Sequence, residues 1–233
     1  MKNLAIIPAR SGSKGLKDKN IKLINGKPLL AYSIEAAKES GIFDEIMVST
    51  DSKEYAEIAE KWGANVPFLR NDELSNDIAS SWDVVKDVLI RYKDLRQCFD
   101  TIALLQPTSP LRTSEDIIEG YKVFQEKNAN LVVGVCEMDH SPLWANKLPN
   151  DYSMENFIKP EVLGMPRQNI STYYRINGAL YIMKVEYLMK ATDIYASKSY
   201  ATVMKKESSI DIDDQMDFTI AEAIMFKLNK SVK

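Results

Sequence analysis

Leu4-Ala5-Ile6-Ile7-Pro8-Ala9-Arg10-Ser11-Gly12-Ser13-Lys14-Gly15-Leu16-Lys17-Asp18-Lys19-Asn20 is the stretch around which this 233-residue chain is organised. Leu4 to Ile7 is a continuous apolar run, which reads as a strand buried on both faces. It stops at Pro8, whose nitrogen cannot donate to a sheet ladder. Arg10, Lys14, Lys17 and Lys19 then alternate with Ser11, Gly12, Ser13 and Gly15. Glycines let backbone amides approach an anion, serines add donors, and the cations supply opposite charge. A strand opening into such a loop is where an α/β sheet holds phosphates. Neither GxxxxGK[ST] nor GxGxxG is present. Composition alone therefore leaves two readings open, a phosphate loop and a solvated connection.

Outward from this stretch the chain alternates between strand and helix patterns. Helical periodicity covers Leu29 to Lys38, after Pro28 and before Ser40-Gly41. Glu45 to Ser49 reads as a strand, and Thr50-Asp51-Ser52 caps a helix over Lys53 to Trp62. A third short strand is expected at Val66 to Leu69. A long amphipathic helix follows over Asp77 to Tyr92, with Trp82, Val85, Leu89 and Tyr92 inward. Thr101 to Leu105 and Leu131 to Cys136 read as strands flanking a helix at Ser114 to Gln125. Gly178 to Met183 and Tyr200 to Met204 read as strands around a helix at Val185 to Lys190, and Asp217 to Leu228 is a closing helix. This rhythm predicts an α/β fold: one Rossmann-like domain over residues 1–233, with a mostly parallel sheet and helices on both faces. In such sheets ligands gather beyond the carboxyl ends of the strands.

The rhythm fails between His140 and Tyr174, a region rich in proline and aromatic residues. A structureless loop of that length is uncommon in a compact domain. Residues 140–175 are therefore expected to form an ordered extension rather than a loose lid.

Bulk properties narrow the function. The net charge of -3 and the absence of a basic tract argue against nucleic acid. No apolar run reaches the roughly 18 residues of a membrane span. Met1-Lys2-Asn3 does not begin a secretory leader pattern. Cys98 and Cys136 lack metal-site spacing and suit a reducing cytoplasm. His140 is the single histidine, which excludes a multi-histidine metal site. Asp211 and Asp213 alternate with Ile210 and Ile212. In a strand they share one face, a hard-oxygen pair suited to Mg²⁺; the other reading makes them acids at the N-terminus of the last helix.

Ala9-Arg10, Ser13-Lys14-Gly15 and Lys19-Asn20 together resemble the nucleotide loop of the acylneuraminate cytidylyltransferases, the CMP-sialic acid synthetase family, which includes legionaminate and pseudaminate enzymes. The resemblance recurs along nearly the whole chain. Arg70, followed by Leu74-Ser75-Asn76-Asp77 and Ser80-Ser81, is similar to the base-recognition stretch, although Asn71 stands where the family usually has proline. Leu104 to Arg112 (LLQPTSPLR) is similar to the central motif. Arg167-Gln168 and Arg175-x-Asn177-Gly178-Ala179 resemble the sugar-acid motif, and Asp211-Ile212-Asp213 with Asp217-Phe218 the metal motif.

This resemblance implies a cytidylyltransferase that joins CTP to a nine-carbon 2-keto sugar acid, with Mg²⁺, as a homodimer whose arm at 140–175 reaches over the partner. Its expected catalytic residues are Lys14, Arg10 and Asp211. Arg10, Ser13, Lys14, Gly15, Asn20, Arg70 and Ser81 would meet the nucleotide. Gln106, Arg167, Arg175 and Tyr181 would meet the sugar, and Asp211 and Asp213 the metal. Arg112 is expected to hold its turn, and Asp214 and Asp217 to cap the last helix. Tyr181 has a second reading as a strand tyrosine of the core. Pseudaminate or an eight-carbon acid as the acceptor, and a non-catalytic nucleotide-binding domain, are the rival readings.

Overall fold

A computed structural model describes residues 1–12, 15–75 and 80–231, with the side chains of positions 167 and 229–231 left out. The strands are β1 (Asn3–Pro8), β2 (Leu23–Ile24), β3 (Lys27–Pro28), β4 (Glu45–Ser49), β5 (Thr101–Leu104), β6 (Leu131–Glu137), β7 (Tyr174–Lys184) and β8 (Ser199–Val203). The helices are α1 (Leu29–Ser40), α2 (Lys53–Trp62), α3 (Ser81–Asp94), α4 (Ser114–Glu126), α5 (Val185–Lys190) and α6 (Gln215–Ser231). Six strands form one sheet in the order β4-β1-β5-β7-β6-β8, while β2 and β3 pair as a small hairpin over Asn25 and Gly26. Both turn residues have positive φ, which Asn and Gly tolerate.

β1 lies parallel to β4 and β5, and β6 parallel to β8, whereas β7 is antiparallel to both its neighbours. The expected mostly parallel sheet is present, with β7 reversed. The reversal follows from the connection. β6 and β7 are the arms of a hairpin whose ladder runs out to Glu137 opposite Tyr174, and residues 138–173 are its elaborated loop.

Successive residues of β1 face opposite sides, as a strand requires. Ala5 and Ile7 pack toward α1 and α4; Leu4 and Ile6 pack toward Val85, Val88, Leu89 and Tyr92 of α3. A third cluster joins Ile24, Leu29, Leu111, Ile212, Phe218, Ala221 and Met225. It fastens α6 to the β2–β3 hairpin and so brings the chain's two ends together.

Capping accounts for several helix boundaries. Ser52 accepts from the Tyr55 amide, and Ser80–Asp83 and Thr113–Asp116 form capping boxes. Gly41 and Gly63 end α1 and α2 in the left-handed conformation. The Asp214 carboxylate accepts from the Met216 and Asp217 amides, and that of Asp217 from the Asp213 and Asp214 amides. Both therefore cap α6, as expected.

Three local expectations are corrected. Val66 to Leu69 is not a strand; the chain makes one bridge, Asn65 to Met47, and Pro67 then offers no donor to continue it. The long helix begins at Ser81 rather than Asp77, because the capping box at Ser80 fixes its start, and positions 76–79 lie outside the described residues. Ile210 to Asp213 joins no sheet. Its register comes from the Ile212 amide donating to the Thr108 carbonyl at 2.9 Å.

The loop after β6 is mostly exposed, with Tyr152, Met154, Leu163 and Met165 facing water and Val162 buried. No helix among the described residues is long and apolar enough to cross a membrane.

Candidate active site

A cleft of about 470 Å³ opens beyond the carboxyl ends of β1 and β5, between α3 and the segment preceding α6. Pro8, Arg10, Gly15, Lys19, Asn20, Arg70, Ser81, Gln106, Thr108 and Asp213 are among its lining residues. Seven of the residues expected from the sequence to meet ligands, Arg10, Gly15, Asn20, Arg70, Ser81, Gln106 and Asp213, thus converge on one wall system. Ser13 and Lys14 lie outside the described residues, as does the Arg167 side chain.

The basic loop is pinned from the side. The Ser11 amide and hydroxyl donate to Asp51 Oδ1 and Oδ2, each at 2.7 Å. The Tyr55 hydroxyl donates to Asp18 Oδ1 at 3.1 Å, and Asn20 Nδ2 donates to the Arg10 carbonyl at 3.0 Å. Lys19 reaches the other end of the chain: its ammonium donates to the Ile212 carbonyl and lies 3.5 Å from Asp213 Oδ1.

Arg70 is almost fully buried at the cleft floor. Its Nε donates to Ser49 Oγ at 3.1 Å and its Nη2 to the Ser49 carbonyl at 2.6 Å. Burial lowers its pKa to about 10, Arg10 pushes the same way and the Asp51 carboxylate opposes it, so the group remains a cation at neutral pH.

Asp211 is a half-buried acid. Burial raises its pKa above the ordinary carboxylate range, a bond from Thr108 opposes this, and the Asp213 charge adds to it. Its Oδ1 is buried without a hydrogen-bond partner among the described residues. Gln106 and Gly178 lie beside it: a Cβ on Gly178 would stand 3.1 Å from Gln106 Oε1 and 3.8 Å from Asp211 Oδ2.

Two expected sugar contacts lie off this cleft. Arg175 is exposed on β7, and its Nη2 donates to the Ser209 carbonyl at 3.2 Å. Tyr181 packs on the α3 face with its ring edge-on to Trp82, centroids 5.5 Å apart, and burial pushes its hydroxyl up to about 12. Its surroundings match the core reading of that tyrosine. Arg112 does hold its turn: Nη1 donates to the carbonyls of Ala179 and Gln106 and Nη2 to Ser33 Oγ. Lys19, Thr108 and Asp51 are not among the site residues expected from the sequence. The signals for the first two, a lysine inside the basic loop and a threonine inside the central motif, were present but could not be assigned a partner.

The family model described as cytidylyltransferase matches residues 4–232. The chain belongs to the cytidylyltransferase family. An N-acylneuraminate cytidylyltransferase of Escherichia coli is 42% identical over 98% of this chain and 53% of its own length. The chain thus spans about half the length of that relative. A CMP-N,N'-diacetyllegionaminic acid synthase of Legionella pneumophila is 36% identical over 97% of both chains. The solved structure of a CMP:2-keto-3-deoxy-manno-octonic acid synthetase complexed with CTP superposes with a TM-score of 0.72 over 97% of this chain and 99% of that one. At 16% identity it shows a shared fold. Arg10, Arg70 and Gln106, one from each of three stretches singled out in the sequence, all border one cleft.

Proposed function

We propose that the chain transfers the cytidylyl group of CTP to a nine-carbon 2-keto sugar acid, an N-acylneuraminate or a related nonulosonate such as legionaminate, giving the CMP-sugar and pyrophosphate. The observation that carries this reading is the meeting of Arg10, Gly15 and Lys19 with Asp213 in one cleft, across nearly the whole chain. A nucleotide needs cations for its phosphates and carboxylates for a metal within a single ligand's reach, and the third core cluster supplies that closure.

In this reading Arg10 and Lys14 neutralise the triphosphate, while Asn20, Arg70 and Ser81 meet the base. Gln106 meets the acceptor sugar in the cleft, and the sugar extends past the cleft so that its carboxylate meets the guanidinium of Arg175, with Arg167 the second cation expected there, since arginine binds carboxylates bidentately. The anomeric hydroxyl oxygen attacks the α-phosphorus in line. The new P–O bond forms as the bond to the β-phosphate bridging oxygen breaks, the electron pair leaves with pyrophosphate, and the hydroxyl proton passes to solvent. Positioning and charge stabilisation supply the rate enhancement.

The acid pair fits Mg²⁺. Asp211 offers an unpartnered buried oxygen and Asp213 an exposed carboxylate at the cleft wall. Among the described residues no group of three or more His, Cys, Asp or Glu is placed to hold a metal, so phosphate oxygens and water would complete the shell. When bound, the ion would polarise phosphate oxygens.

The exposed apolar residues of the 140–175 extension, Tyr152, Met154, Leu163 and Met165, support an arm that docks on a second copy to make a homodimer. The two free cysteines, Cys98 and Cys136, support a cytoplasmic location.

The test is a panel of 2-keto acids with CTP and Mg²⁺, scored by pyrophosphate release. Turnover with a nonulosonate above that with the eight-carbon acid supports the reading. Release with no acid at all refutes it. Sedimentation of the same protein checks the dimer.

A further inference from the structure

The segment at the end of β4 lies behind the cleft wall, and Ser49, Thr50 and Asp51 are not among its lining residues. Yet the two halves of the nucleotide site are both tied to it. The Ser49 carbonyl accepts from the Ala9 amide at 2.9 Å and from Arg70 Nη2 at 2.6 Å. The Thr50 carbonyl accepts from the Arg70 amide at 2.7 Å. Both carboxylate oxygens of Asp51 are taken by Ser11, at the first turn of the basic loop.

An acid in this place needs a reason. It stands at the mouth of a loop built from cations, where its charge opposes the anion the loop would bind. It does not cap α2, because Ser52 does. What it supplies is order. Ser11 immediately precedes Gly12, whose φ of 68° lets the backbone turn, and a loop of glycines and serines has much conformational freedom to lose on binding. Two charge-assisted bonds at its start remove part of that freedom in advance.

We propose that Asp51 is a positioning residue for the nucleotide: it holds the start of the phosphate loop against the end of β4, the segment to which Arg70 is itself hydrogen-bonded, without itself touching the ligand. This rests on the reading of both elements as nucleotide contacts.

The experiment compares the full-length wild type with Asp51→Ala, Asp51→Asn, Ser11→Ala and the double variant S11A/D51A. Asp51→Ala is expected to raise the KM for CTP by about tenfold to a hundredfold, the range that loss of bonds to a charged group gives. The KM for the sugar acid and kcat at saturating CTP stay within about twofold, because neither depends on how the free loop is ordered. Asp51→Asn keeps an acceptor for the Ser11 amide and a donor for its hydroxyl, so it recovers most of the loss. The double variant costs no more than Asp51→Ala alone, since one interaction is being removed. Amide hydrogen exchange, read without any ligand, should quicken over residues 9–20 in Asp51→Ala and stay unchanged in β1 and α3.

An unchanged KM for CTP, unchanged exchange over 9–20, or faster exchange throughout the chain overturns the proposal. If the wild type itself bound no CTP, the underlying site reading would fall and take the proposal with it. A wild type that binds CTP beside an indifferent Asp51→Ala overturns the proposal alone.

Discussion

Gly15 and Asp213 touch through their backbones: a Cβ on Gly15 would stand 2.5 Å from the Asp213 carbonyl oxygen. The loop near the amino end and the acid segment near the carboxyl end are therefore fitted to each other before any ligand arrives. The obstacle is main chain, which cannot swing aside as a side-chain tip can. Gly15→Ala should push the loop or the acid segment out of place. A displacement of that size costs about a hundredfold in rate when it falls on a reacting geometry. The measurement is kcat/KM for pyrophosphate release alongside a melting curve; wild-type activity in this variant would show that the two segments need not touch.

Asp211 carries a conflict between stability and chemistry. Its carboxylate is largely buried, one oxygen is unpartnered, and its pKa is raised mainly by that burial. A raised folded pKa means that the native state holds the proton more tightly than the unfolded chain. Stability therefore falls as pH rises from the ordinary aspartate range through the raised value, and levels off above it. Asp211→Asn should be near neutral for metal-free stability at pH 3. It should raise the melting temperature by a few degrees at pH 7, while abolishing metal-dependent turnover. Melting curves with chelator at the two pH values check the first statement. An equal effect at both pH values would show that the charge is not what costs stability.

The sequence made the framework plain where local chemistry decides it. The four apolar residues of β1 signalled a strand covered on both sides, and α2 runs over Lys53–Trp62 behind a Ser52 cap, as expected. The readings that failed depend on partners far along the chain. Val66 to Leu69 has strand composition but no neighbour to pair with beyond Asn65. Lys19 was one cation among four until the fold set it against Ile212 and Asp213. Arg175 and Tyr181 are six residues apart, a spacing that puts both on one face of a regular strand. The register against β6 breaks between Ile176 and Tyr181, where Gly178 has a φ of 75°, and Tyr181 ends against Trp82 while Arg175 lies out on the extended hairpin.

Asn177 shows the same limit within a motif that was recognised. Its Nδ2 donates to Ser209 Oγ at 2.9 Å and meets Met204 Sδ at 3.1 Å, while its Oδ1 accepts from the Ala179 amide at 3.0 Å. It is a buried clamp on the Gly178 turn. Asn177→Ala leaves the Ala179 amide without a partner, while the Ser209 hydroxyl keeps its bond to the Lys205 carbonyl. It should destabilise the fold by about 1–3 kcal/mol, the cost of an unsatisfied buried polar group. Urea unfolding measures this, and a loss below about 0.5 kcal/mol would show that water replaces the side chain.

Gly178 links that clamp to the cleft. Its φ of 75° is a conformation that side chains resist, at about 1–2 kcal/mol. A methyl group there would also press on Gln106 Oε1 at 3.1 Å. The two effects separate by measurement. The backbone cost appears in the unfolding free energy, whereas the push on Gln106 appears in sugar-acid binding, because Gln106 lines the cleft and Gly178 does not. Gly178→Ala should therefore lower stability and raise the KM for the acceptor several-fold with little change in the KM for CTP. Gln106→Ala, which keeps the turn intact, should reproduce the acceptor effect without the stability loss. If Gln106→Ala left acceptor binding unchanged, the glutamine would be a wall of the cleft and not a contact, and the acceptor would have to be placed closer to Arg175 and the extended hairpin.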